Sequence, residues 1–148
     1  MPDYELHRRL GYRVSVLSRI MQSRLERMIA ELGLTRLMWC VLTGVGEEGV
    51  ITPSELADYI GITRPATSRL LRDMEARNMV ARNGSDADGR GRTVVLTPYG
   101  RQLLEAARPS VEDVNTHFTS KLEPDELAML HACIERLVAG EDERITRL

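Results

Sequence analysis

The sequence predicts a mainly helical chain with one small β-hairpin, on three observations. Apolar residues recur at spacings of three and four over most of its length. Two helical patterns near the middle are separated by only Gly61-Ile62-Thr63. Just beyond them the period changes to short strand-like runs, Val80–Asn83 and Arg92–Leu96, on either side of a turn-rich stretch. The 148 residues, 43% of them apolar and 28% charged, suit one globular domain with a core of its own and argue against disorder.

Residues 4–30 read as one long amphipathic helix, with Leu10, Val14, Leu17, Met21, Leu25 and Met28 on its apolar stripe. At about 1.5 Å per residue it would span roughly 40 Å. Gly33 breaks the pattern and Thr35 caps a second helix carrying Leu37, Met38, Trp39, Val41 and Leu42. Gly44 to Gly49 reads as a loop. Thr52-Pro53-Ser54-Glu55 is a capping box with proline at the first helical position, and that third helix stops at Gly61. The fourth, Arg64–Arg77, turns Leu70, Leu71 and Met74 inward. A hairpin follows, its polar tip running from Gly84 to Gly91. Thr97-Pro98 starts a fifth helix over 98–120, which Pro109 is predicted to kink. Glu123-Pro124-Asp125-Glu126 opens a sixth, with Leu127, Leu130, Ile134 and Leu137 on one stripe.

Two helices joined by a three-residue turn and followed by a two-stranded hairpin make a winged helix-turn-helix. The net charge of −2 speaks against a nucleic-acid partner until it is divided along the chain. Residues 61–97 carry +3, residues 1–60 carry −1 and residues 98–148 carry −4. The positive excess thus falls on the fourth helix and the hairpin, where a DNA-facing surface is needed. All seven cations there are arginines, whose planar fork of donors matches phosphates and guanine edges.

Arg64, Ser68 and Arg72 stand four apart on the fourth helix, with Pro65 and Arg69 beside them. A helix entering the major groove needs short side chains at its N-terminal end and forked donors for base edges or phosphates. Thr67 and Ser68 suit the first role, and Arg69 and Arg72 the second. The competing interpretation is a solvated face stitched by Arg69–Asp73 and Arg72–Glu75 pairs. On the hairpin, Arg90 between Gly89 and Gly91 is placed to enter a narrow minor groove, with Arg92 behind it. Asp88 would be repelled by phosphate and fits better as a partner that fixes a nearby arginine. The DNA-facing set is therefore Arg64, Pro65, Thr67, Ser68, Arg69, Arg72, Asp88, Arg90 and Arg92.

Several classes find no support. Cys40 and Cys133 belong to no CxxC pair, and His7, His117 and His131 have no ligand spacing, so neither metal nor cofactor is expected. No catalytic arrangement or phosphate-cradling loop is present, which argues against an enzyme. The absence of a signal-like segment or an 18-residue apolar run places the chain in the cytoplasm.

The residues resemble those of the MarR family of winged-helix regulators. The resemblance runs through Ser54-Glu55-Leu56-Ala57, Arg64–Leu71 and Met74–Val80, where the family commonly has glycine in place of Asn78. It continues in the wing signature Asp88-Gly89-Arg90 before Leu96-Thr97-Pro98-Tyr99-Gly100. It covers essentially the whole chain and implies one domain over 1–148. Residues 1–34 and 98–148 would be dimerisation helices and 35–97 the DNA-binding part. It implies a homodimer bound to double-stranded DNA at a pseudo-palindromic promoter site, and repression relieved by a small aromatic or lipophilic effector or by cysteine oxidation. Leu10, Val14, Leu17, Met21, Leu127, Leu130, Ile134 and Leu137 become candidates for the shared core. Tyr12, Arg13, Trp39 and His117 are positions where an effector cleft could lie, though each reads more readily as a simple core or surface side chain. The redox route is weak, because the first helix has no cysteine near its start and Cys40 and Cys133 both read as core. The alternative function is a winged helix turned to protein–protein contact without operator binding.

Overall fold

Helix caps set most of the architecture, and their short range explains why they were predictable. The computed structural model describes residues 5–84 and 92–141. In order, the elements are α1 (Leu10–Ile29), α2 (Arg36–Gly46), α3 (Pro53–Ile60), α4 (Arg64–Ala76), β1 (Val80–Asn83), β2 (Thr93–Leu96), α5 (Pro98–Thr119) and α6 (Pro124–Val138). Short 3-10 turns at Leu6–Arg8 and Ala30–Leu32 flank α1. The Met38 N–H donates to Thr35 Oγ1 at 3.2 Å to open α2, and the Ala66 N–H donates to Thr63 Oγ1 at 3.2 Å to open α4. The Thr52–Glu55 capping box is complete, each residue's backbone N–H donating to the other's side chain.

Two boundaries differ from the sequence expectation. Arg9 is extended (φ −72°, ψ 139°), so α1 begins at Leu10, not residue 4. Its 20 residues span about 30 Å, shorter than the roughly 40 Å expected. Leu6 stands four before Leu10, so apolar spacing alone does not reveal the break. In the second case α2 continues to Gly46 where a loop was expected from Gly44. Gly46 serves packing there: a Cβ on it would lie 2.7 Å from Leu96 Cδ1 and 2.8 Å from Leu104 Cδ2. Pro109 lies inside α5 without ending it.

The core is a contiguous cluster that includes Ile29, Met38, Val41, Leu42, Leu56, Leu71, Met74, Val80, Val94 and Leu104. It joins the end of α1 to α2, α3, α4, the hairpin and the first half of α5. The strands are antiparallel, pairing Val80 with Leu96 and Arg82 with Val94. On the far side of β2 the Val94 N–H donates to the Ile51 carbonyl at 2.7 Å, so the segment before α3 runs along the hairpin and braces it. By contrast α6 contributes no buried residue. The exposed half of α1 is alike: Leu10 is 60% exposed, Val14 54% and Leu17 47%.

Candidate nucleic-acid interface

The short turn and the two caps determine how α4 is presented. Gly61 takes a left-handed conformation (φ 79°) that ends α3, and Thr63 caps the next helix two residues later. Residues three and four apart share a helix face, so Thr67, Leu71 and Met74 form one stripe, and all three are buried. The opposite side carries Arg64, Pro65, Arg69 and Arg72, all exposed, with Ser68 half-buried at its margin.

Thr67 is therefore a correction. It was expected to face outward as a short side chain, but it is fully buried, and its hydroxyl donates to the Thr63 carbonyl at 2.9 Å. A β-branched residue whose hydroxyl bonds back one turn satisfies its own polar atom and fills core volume. It belongs to the support of α4, not to its outer face.

The Arg69–Asp73 and Arg72–Glu75 pairs of the competing interpretation do not form. Asp73 takes Arg77 at 3.2 Å, and Glu75 takes Arg82 of β1, also at 3.2 Å. Among the described residues no ion pair engages Arg64, Arg69 or Arg72. The acids of α4 are drawn toward its C-terminal end and the hairpin, and the arginine forks on the outer face stay available. Arg92 is exposed just before β2 and already has an interaction partner within the chain. Asp88 and Arg90 lie outside the described residues.

A clasp joins α4, the hairpin and α5. Asn78, in the turn after α4, has φ 60°, a conformation that glycine adopts most easily and asparagine tolerates. The Thr97 hydroxyl donates to the Asn78 carbonyl at 2.5 Å and accepts the Gly100 N–H at 2.9 Å, so one side chain caps α5 and holds the α4–β1 turn. The Thr97 N–H adds a bond to the Met79 carbonyl at 3.2 Å. Gly100 lies so close to that carbonyl that a Cβ would come 2.0 Å from its oxygen. The Leu-Thr-x-x-Gly motif is thus a joint between the helix-turn-helix unit and α5. Sequence reasoning found the motif but not its function, because the partner lies about twenty residues upstream.

The cysteines stand apart from this surface. Cys40 is half-buried, and burial pushes its thiol above the usual range while the nearby Arg36 pulls it partly back. Cys133 is exposed on α6 and not in a core as expected, since α6 buries none of its residues among the described ones. Among the described residues no single helix is long and apolar enough to cross a membrane.

An exposed basic helix set by a three-residue turn and flanked by a hairpin defines a winged helix-turn-helix protein. The profile of the MarR family matches residues 32–91, which hold α2, α3, α4 and β1. The multiple antibiotic resistance protein MarR of Salmonella typhimurium is 27% identical over 131 residues, covering 87% of this chain and 90% of that protein. An HTH-type transcriptional repressor of Mycobacterium tuberculosis is 25% identical over 86% of this chain and 92% of its own length. Among solved structures, a mutant MarR from E. coli complexed with operator DNA superposes with a TM-score of 0.79 at 25% identity, covering 87% of this chain and 93% of that one. In sequence over residues 32–91 and in fold over most of its length, the chain is similar to the MarR family.

Proposed function

We propose that this protein is a dimeric transcriptional regulator that binds a pseudo-palindromic promoter site and represses from it until a small molecule releases it. The observation that carries the reading is the outer face of α4, where Arg64, Arg69 and Arg72 are exposed and Asp73 and Glu75 are engaged elsewhere. An unpaired arginine fork on a helix that can enter the major groove suits guanine edges and phosphates. The operator complex of the E. coli relative and the repressor activity named for the mycobacterial one support the same reading. We assign Arg64, Pro65, Ser68, Arg69 and Arg72 to the DNA-facing surface, with Arg92 before β2 and, on the sequence alone, Asp88 and Arg90. Thr67 is left out.

Dimerisation follows from what the single chain leaves uncovered. The stripe of α6 has Leu130 42%, Ile134 48% and Leu137 57% exposed, and α1 exposes Leu10, Val14 and Leu17, with Met21 and Leu127 half-buried beside them. Exposed apolar stripes of this kind mark an interaction site, and a second copy with the same two faces would cover them in two-fold symmetry. Residues 1–34 and 98–148 then form the dimer region and 35–97 the DNA-binding part. For the effector, Tyr12 and Arg13 line an open cavity of about 270 Å³ with His7, Val16, Leu17 and Ile20. An arginine, a histidine and an aromatic ring on apolar walls suit a small aromatic acid. Trp39 and His117 are not among its lining residues.

The test is binding to a duplex selected from random DNA by the wild-type protein. Arg69→Ala is expected to weaken binding to it by about 10- to 100-fold, the worth of one bidentate base contact, with an unchanged melting curve. Full affinity in Arg69→Ala would remove α4 from the interface. A folded dimer that selects no duplex would favour a protein–protein module instead.

A further inference from the structure

We propose that the Glu75–Arg82 pair is a positioning strut that sets the angle of the hairpin to α4, and that it contributes to operator affinity without touching DNA. This rests on the DNA-binding reading above. Arg82 is on the wrong side of the hairpin for a DNA contact. Strand residues alternate faces, so Arg82 shares the face of Val80, which is buried in the core. Its cross-strand partner is Val94, which is fully buried. The Arg82 side chain is only 21% exposed and that of Glu75 31%. An arginine on the inward face of a two-stranded ribbon is costly unless its charge is met.

Glu75 meets it from the last full turn of α4, at 3.2 Å from Nε. This is not a hydrogen bond, and the buried Nε–H finds no acceptor among the described residues. The contact is thus a charge pair spanning two elements. It joins the helix assigned to the major groove to the base of the hairpin assigned to the minor groove. Two elements that must meet two grooves at once need a fixed mutual angle, since each misplaced contact loses the geometry it depends on.

The proposal predicts the opposite sign from simple electrostatics, which makes it testable. Glu75→Gln removes a negative charge beside a DNA-facing surface. If charge alone mattered, DNA affinity would rise. The strut predicts that affinity for the selected duplex falls about five- to tenfold, while affinity for random-sequence DNA is unchanged or slightly higher. Arg82→Lys should show the same loss in milder form. Neither should alter the slope of log affinity against log salt, because Arg82 neutralises no phosphate. The charge-swapped double variant Glu75→Arg/Arg82→Glu should recover most of the ratio between selected and random DNA.

Melting curves of both single variants check folding, and Arg82→Lys is read alone if Glu75→Gln does not fold. Unchanged or tighter specific binding in the single variants would overturn the strut. A salt slope shallower by about one in Arg82→Lys would also overturn it, by making Arg82 a phosphate contact. A wild-type protein that selects no duplex would overturn the DNA-binding reading, and the strut with it.

Discussion

Gly100→Ala is expected to lower the melting temperature by roughly 10 °C, corresponding to about 3 kcal/mol for a chain of this size. Helix propensity argues the other way. Gly100 is in the first turn of α5, and alanine is favoured over glycine inside a helix by about 1 kcal/mol. Steric exclusion decides the sign, because the added Cβ would be 2.0 Å from the Met79 carbonyl oxygen. That oxygen is backbone and cannot rotate away. It accepts from the Thr97 N–H, and Met79 is itself buried. Relief requires α5 to shift from the α4–β1 turn, which breaks the clasp formed by Thr97. DNA affinity should therefore fall together with stability. The measurement is a thermal melt followed by circular dichroism, and a melting temperature within about 2 °C of wild type would show that the joint is looser than its geometry.

Ile134→Glu is expected to convert the protein to a monomer at micromolar concentration. Ile134 is 48% exposed on α6, which buries no residue against its own chain, so the substitution leaves the fold of the single chain nearly untouched. In a two-fold dimer the same change enters the interface twice. Each uncompensated carboxylate at an apolar contact costs on the order of 3–5 kcal/mol, enough to weaken association by well over a hundredfold. Sedimentation equilibrium reads the outcome directly. Operator affinity should fall with it, because two linked winged helices gain from effective concentration and one does not. A variant that still sediments as a dimer would move the interface off α6.

What could be read from the sequence divides by range. Thr35, Thr52-Pro53 and Thr97-Pro98 place helix starts correctly because a cap acts within three residues. Gly61-Ile62-Thr63 gives the turn for the same reason. The outward arginines of α4 followed from helical spacing. Thr67 did not, since a threonine's polarity conceals that its hydroxyl can be satisfied one turn back and its methyl buried. Gly46 was read as loop because its close packing against Leu96 and Leu104 is set by residues about fifty or more positions away. The partner of Arg82 was not legible on similar grounds. Helical spacing offers Glu75 only Arg72, whereas a strand seven residues on supplies the counter-ion. A period-two count from Val80 puts Arg82 on the inward face and would have flagged it.

The most direct test of the central claim is a hydroxyl-radical footprint of the wild-type protein on its selected duplex. Two winged helices related by two-fold symmetry predict two protected blocks, symmetric about one centre, with major grooves about 34 Å apart facing the protein, and protection that fades steeply as salt rises. A single unpaired block, or uniform protection with no centre, would contradict a dimer that reads DNA through α4 and the hairpin.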